Sequence, residues 1–162
     1  MIELRVLSPD DWKDWRSLRL AALAESPHAF GAKLADWQGE GDREERWRDR
    51  LAIADSHNLI AVLDGTPVGM ASGIPGPAAG IVEVISVWVS PPARGHGVGD
   101  ALMTSIEDWA RAGSARVIKL AVARGNDPAA GLYVRHGFVD TGELGDLMDD
   151  GVTYEAVMEK SL

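Results

Sequence analysis

The chain has 162 residues, no cysteine and a formal net charge of −9, from 25 acidic against 16 basic side chains. Its length suits one domain with a substantial core. The lack of cysteine excludes disulfides, thiolate-ligated metal and a thiol nucleophile, and fits a cytoplasmic location. The acid excess argues against nucleic acid as the main partner, because phosphate backbones need a basic face. It is compatible with a cationic amine, although acids also simply keep a protein soluble. No apolar run approaches the length of a membrane-spanning helix, so no membrane partner is expected. Met1 to Asp10 does not read as a signal sequence. The histidines are scattered, none forms a metal-ligand pair at helical spacing, and no metal is expected.

Ile2 to Leu7 alternates apolar and charged residues and predicts a strand. Ser8-Pro9-Asp10-Asp11 supplies a helix N-cap and an early proline. A helix is predicted from about Asp10 to Ala24, with Trp12, Trp15, Leu18, Arg19 and Ala22 near one face. Ser26-Pro27-His28-Ala29-Phe30-Gly31 breaks it. Asp42 to Ala54 is charged, with Trp47, Leu51 and Ala54 at helical spacing, and predicts a second, exposed helix. Asn58 to Leu63 and Pro67 to Ile74 are predicted strands around Asp64-Gly65, a strong hairpin signal. A Pro/Gly-rich loop, Pro75 to Gly80, precedes a long apolar strand, Ile81 to Val89, interrupted by Glu83 and Ser86. Gly97 to Ala112 predicts an amphipathic helix closed by Gly113, then Val117 to Val122 a buried strand. A short helix, Ala129 to His136, is opened by Asp127-Pro128 and stopped by Gly137. Phe138 to Thr141 and Thr153 to Lys160 are the last predicted strands. Hairpins beside crossovers predict a mixed sheet with helices on its faces.

The segment Val87-Trp88-Val89-Ser90-Pro91-Pro92-Ala93-Arg94-Gly95-His96-Gly97-Val98-Gly99-Asp100 is the most informative part of the chain. It reads as a buried strand, a turn, and a Gly-rich loop opening a helix. Such a loop directs backbone N–H groups and the positive end of the helix dipole to one spot, a receptor for pyrophosphate. The dinucleotide fingerprint does not fit: Asp100 stands where its third glycine would fall, and Val117 and Ile118 stand where the ribose-binding acid would lie. The nucleoside-triphosphate loop also fails, since no lysine follows the glycines.

What remains, V-x-P-x-x-R-G-x-G-x-G, resembles the coenzyme A signature of the GCN5-related N-acetyltransferases (GNAT). Asn126 to Phe138 resembles that family's second signature, N-x-x-A-x-x-L-Y-x-x-x-G-F. The resemblance implies an α/β (α+β) fold. Its central sheet would be mixed, mostly antiparallel and six- to seven-stranded, flanked by four helices and splayed at the two middle strands. It also implies acetyl-CoA as cosubstrate. The backbone of Gly95, His96, Gly97, Val98, Gly99 and Asp100 would hold the pyrophosphate. Gly97 and Gly99 leave room for close approach, and Arg94 would shape the loop or flank a phosphate. His96 would face phosphates or solvent rather than act as a base.

By the same resemblance, Val87, Trp88 and Val89 line the pantetheine arm, which pairs with the splayed strand like an added strand. The Val89 N–H would steady the oxyanion. Trp88 points to the opposite side, as core or as pocket wall. Asn126 and Ala129 would meet the arm, with Asn126 also capping the helix. Tyr133 would protonate the departing thiolate; its alternative reading is a core aromatic. His136 suits a helix C-terminus.

Glu83 is a carboxylate in an otherwise apolar strand, a costly placement unless it is hydrogen-bonded or functional. Histone-modifying members of the family carry a glutamate at this offset as general base. An alkylammonium, with pKa of about 10, must lose a proton before it attacks. A structural Glu83, at the sheet surface or paired with an arginine, is the alternative. Members that acetylate protein N-termini place a glutamate on the next strand, where Ala121 stands here. Phe30 and Trp37, with Lys33 and His28, are candidates for the acceptor pocket, unless the two aromatics seal the core.

These readings predict an N-acetyltransferase that moves acetyl from acetyl-CoA to a primary amine, of a small molecule first and of a protein lysine or N-terminus second. A non-catalytic acyl-CoA sensor would keep the glycine loop but lose the base and acid. A ligand-free structural dimer would leave the loop unexplained. Pairing of two copies through the C-terminal strands is an expectation of the family resemblance.

Overall fold

The computed structural model describes residues 1–27 and 33–162. His28 and Phe30, two candidates for the acceptor pocket, lie outside the described residues. The strands are β1 (Ile2–Val6), β2 (His57–Leu63), β3 (Thr66–Pro75), β4 (Ile81–Val89), β5 (Val117–Val122), β6 (Val139–Leu147) and β7 (Tyr154–Ser161). The helices are α1 (Trp12–Glu25), α2 (Glu44–Leu51), α3 (Val98–Ala112) and α4 (Asp127–Arg135). The sheet has the order β1-β2-β3-β4-β5-β7-β6. Every neighbouring pair is antiparallel except β4 and β5, which are joined through α3. This is the mixed, seven-stranded, four-helix architecture that the element order predicts.

Both faces of the sheet are covered, which is why β2 reads as a continuous apolar run rather than an alternating one. Leu59 and Ala61 pack against α3 with Val98, Leu102, Met103 and Ile106. Ile60 and Val62 face the other way, against Trp15 and Leu18 of α1 and Trp47 and Leu51 of α2. At ~25 cal/mol per Å² of apolar surface, each such buried side chain contributes about 1.5–3 kcal/mol before entropy. The Asp64-Gly65 turn joins β2 to β3 with both φ angles positive (50° and 86°), the requirement of a tight hairpin.

Two features depart from the sequence expectation. The C-terminal hairpin is longer: β6 runs to Leu147 although Asp140 to Asp146 looks too polar for a core strand. It is the edge of the sheet and buries little, so its apolar pattern is weak. The second is a bulge in β4. Ile85 pairs with Ser72 and Trp88 with Met70, so three steps on β4 oppose two on β3. Ser86 takes up the extra residue at φ 58°, a left-handed conformation rare outside glycine. The bulge reverses the pleat. Val82 and Val84 before it, and Val87 and Val89 after it, all pack toward α3, while Trp88 packs toward α1 and α2.

Candidate active site

The middle of the sheet opens at one residue. β4 and β5 pair only at Ile81–Val117, Val82–Ile118 and Glu83–Lys119. Beyond Glu83 the strands part, leaving the second half of β4 with a free edge toward β5. Ser90 N–H donates to Val68 C=O across β3 at 2.7 Å. With Val89 set opposite Gly69, the peptide groups of Val89 itself point away from β3. Its N–H is therefore aimed into the opening. Its C=O accepts from Arg94 Nε at 3.0 Å.

That bond shows what Arg94 does. The same guanidinium reaches Glu25 at the end of α1 through Nη2 (3.0 Å), and the Trp88 indole N–H donates to the same carboxylate oxygen at 2.9 Å. Hydrogen bonds from the Ser26 hydroxyl, from Trp88 and from Arg94 hold the Glu25 carboxyl below its ordinary pKa. Arg94 thus ties the loop to the end of β4 and to α1, as a loop-shaping residue. Trp88 is buried in the core on the α1 and α2 side, the opposite side of the strand from Val87 and Val89.

The glycine loop turns into α3 with Gly97 as N-cap at φ 84°, a conformation open to glycine without strain. His96 is exposed. Gly99 has a packing role absent from the sequence reading: a Cβ there would lie 3.1 Å from Leu132 Cδ2 of α4. The missing side chain lets α3 and α4 close together. Asp100, in the first turn of α3, clamps the same junction. It accepts from His136 Nε2 at 2.9 Å and from Arg135 Nη2 at 3.1 Å. The His136 bond, then the Arg135 bond, hold its carboxyl below the ordinary range.

On α4, Asn126 Oδ1 caps the helix by accepting from Ala129 N–H at 3.4 Å. Tyr133 is buried beside Phe138, ring centroids 6.0 Å apart. Burial pushes its phenol well above the ordinary pKa, so it keeps its proton.

Below the opening lies a cavity of about 500 Å³. Glu83, Ile85 and Ser86 of β4 and Leu120 and Ala121 of β5 line it, together with Arg19 of α1 and Arg50 of α2. Among the described residues the half-buried Glu83 carboxylate makes no hydrogen bond or ion pair, so it is neither a surface glutamate nor half of a salt bridge. Trp37 does not line this cavity. It packs on Trp47 (centroids 4.6 Å) under the guanidinium of Arg46 (3.8 Å), in the role of a core aromatic. Lys33 is exposed. Sequence reasoning missed Arg50. The available signal was its spacing, three residues after Trp47 and one before Leu51, on the buried face of α2.

Comparison with known proteins follows the same line. Residues 12–138 match the family model described as "Acetyltransferase (GNAT) family". The chain is 34% identical over 112 residues to an IAA acetyltransferase of Azospirillum brasilense, a match covering 69% of this chain and 72% of that protein. It is 32% identical over 141 residues to a mycothiol acetyltransferase of Renibacterium salmoninarum, covering 85% of this chain but 40% of that longer protein. The fold superposes on the PaiA N-acetyltransferase of Thermoplasma acidophilum, solved in complex with coenzyme A. The TM-score is 0.77 at 20% identity, over 100% of this chain and 99% of that one.

Proposed function

We propose a specific reaction for this chain, which belongs to the acetyltransferase (GNAT) family and is an acyltransferase: transfer of acetyl from acetyl-CoA to the primary amine of a small molecule. The observation that carries the reading is the parting of β4 and β5 at Glu83, with a carboxylate unpaired among the described residues at the point of parting and a free backbone edge beyond it on the same strand.

The residues present fit acetyl-CoA. Gly95 and Gly97 leave the approach to the first turn of α3 open to a pyrophosphate. The free edge of β4 at Val87 to Val89 offers hydrogen-bonding groups to the pantetheine amides. When bound, acetyl-CoA supplies an activated acyl carbon. Glu83 takes a proton from the incoming ammonium, directly or through one water, so that the neutral amine attacks. The Val89 N–H donates to the oxygen on which charge develops, an arrangement worth about 3–4 kcal/mol where such donors have been removed. Tyr133 gives its proton to the departing sulfur. No covalent enzyme intermediate is required. A small-molecule acceptor is supported by the substrates in the names of the two relatives.

We also propose that two copies pair through the C-terminal hairpin. The edge strand β6 exposes Val139, Leu144 and Leu147 at 50–61%, and edge strands with apolar side chains seek partners. Sedimentation velocity of the wild type and a Leu144→Lys variant checks this; a wild-type monomer at tens of micromolar overturns it.

The decisive experiment on the reaction is coenzyme A release from acetyl-CoA against small amines, amino acids and lysine peptides, with Glu83→Gln alongside. The expected result is turnover on a small amine, reduced about 10²-fold or more in the variant at neutral pH. Recovery should be partial at high pH, where the amine loses its proton unaided. Undiminished turnover by Glu83→Gln overturns the base assignment, and failure to bind acetyl-CoA overturns the reaction.

A further inference from the structure

The cavity beside Glu83 has two chemically opposite walls. On the sheet side stand Glu83, Glu143, Asp146 and Glu155, an acidic excess that Lys119, 3.8 Å from Glu143, offsets only in part. Burial, and then the charge of Asp146, raise the pKa of the Glu155 carboxyl. On the helix side stand Arg19 and Arg50. The Arg50 guanidinium lies 4.9 Å from the Trp15 ring and donates through Nη1 to Asn58 Oδ1 (3.1 Å) and through Nη2 to Ser72 Oγ (3.1 Å) and Ser86 Oγ (3.2 Å). All three acceptors are neutral oxygens. Among the described residues no carboxylate pairs with Arg50, and its Nε–H has no partner.

A cation held this way is costly. Burial lowers the Arg50 pKa to about 10, and the neighbouring charge of Arg19 adds to the effect. Burial alone lowers Arg19 to about 10 as well. The Arg19 charge acts against that of Arg50 on the same cavity wall, and an incoming anion relieves that repulsion and the lost hydration of Arg50. The protein as a whole repels anions, with its net charge of −9. A local pair of arginines is therefore what an anionic ligand would require here, and Arg50 keeps its Nε–H and one Nη1 proton for a carboxylate or phosphate oxygen.

Building on the acetyltransferase reading, we propose that the acceptor is an amphoteric small molecule. Its amine meets the acidic wall at Glu83, and its carboxylate or phosphate is held by Arg50 and Arg19. The same arginine that grips the anion bonds Ser86 at the bulge. Acceptor binding is thereby linked to the stretch of β4 that leads to the Val89 N–H.

The test uses matched probes: L-amino acids, their α-amides and their decarboxylated amines as acceptors, with O-phosphoethanolamine against ethanolamine to separate phosphate from carboxylate. Independent of turnover, N-acetyl-L-amino acids and their amides are titrated calorimetrically into the enzyme with coenzyme A present. The expected result is a preference of about tenfold or more for the anionic member of a pair in kcat/KM or in Kd. That ratio should collapse toward one in Arg50→Gln and Arg19→Gln, through KM rather than kcat. Arg50→Lys should recover only part of it. The two glutamine variants guard each other against misfolding, with thermal melting and acetyl-CoA affinity as controls. Equal or better use of the neutral member, no discrimination in either readout, or a preference unchanged in both variants overturns the proposal. Neutral amines turned over well would do so while leaving the acetyltransferase reading intact; loss of acetyl-CoA binding by the wild type would strike that reading instead.

Discussion

Replacing Tyr133 by phenylalanine separates chemistry from stability. Tyr133 is 6% exposed and its ring lies against Phe138. Among the described residues its hydroxyl has no hydrogen-bond partner. Removing the oxygen therefore keeps the ring packing and relieves a desolvated phenol, a gain of up to about 1 kcal/mol. For a chain of this length the melting temperature should stay level or rise by about 2–4 °C. The reaction should suffer in the opposite sense. A phenol whose pKa burial has raised retains its proton and can pass it to a thiolate only when the sulfur departs. Without it the thiolate leaves unprotonated, and kcat should fall about 10²-fold or more, with little change in acetyl-CoA affinity. Coenzyme A release followed with a thiol reagent, beside a melting curve on the same preparation, reads both quantities. A kcat within about threefold of wild type refutes the proton-donor role. A fall in melting temperature of more than about 4 °C refutes the claim that the hydroxyl is structurally idle.

Gly97→Ala should weaken acetyl-CoA binding and cost about 1–2 kcal/mol of stability through its φ of 84°; the nearest atom to an added Cβ is Ile2 Cδ1 at 4.0 Å, so calorimetry and melting will report backbone strain rather than a clash. Asp42 accepts from Arg16 at 2.8 and 2.5 Å and from the Trp47 indole at 2.8 Å. These bonds hold its carboxyl at about 2, from an ordinary 3.8. A depressed folded pKa stabilises above the unfolded value, and that contribution is lost as pH falls from about 4 toward 2. Melting temperatures of Asp42→Asn should accordingly show a shallower acid slope than wild type in that window, and parallel slopes would rule this out.

Much of this was legible in the sequence because it rests on local rules. The bounds of β4 and β5 follow from apolar runs, and the β2–β3 hairpin from Asp64-Gly65. The glycine loop that opens α3 follows from glycine spacing. What escaped is what one extra residue or one long side chain does. Ser86 looks like a polar interruption in an apolar strand, and nothing in the pattern announces that it inverts the pleat. Arg19 was visible on the apolar stripe of α1, and Arg50 sits at the matching place on α2. A helical stripe shows that an arginine faces inward, but not that two helices bring their arginines to one cavity. Trp37 read equally well as pocket wall or core aromatic, a choice fixed by the tertiary stacking on Trp47.

The bulge at Ser86 also bears on how such an enzyme could diversify. It divides one strand into two stretches with independent duties: Glu83 and Ile85 look into the cavity proposed for the acceptor, while Val87 and Val89 carry the edge proposed to meet the cosubstrate. In a regular strand, inserting or deleting a residue anywhere along it would shift both duties together. Here the kink acts as a phase break, so the upstream stretch can be rewritten for a new acceptor while the downstream stretch keeps its register with β3. A descendant could change what it modifies without relearning how to hold its acyl donor.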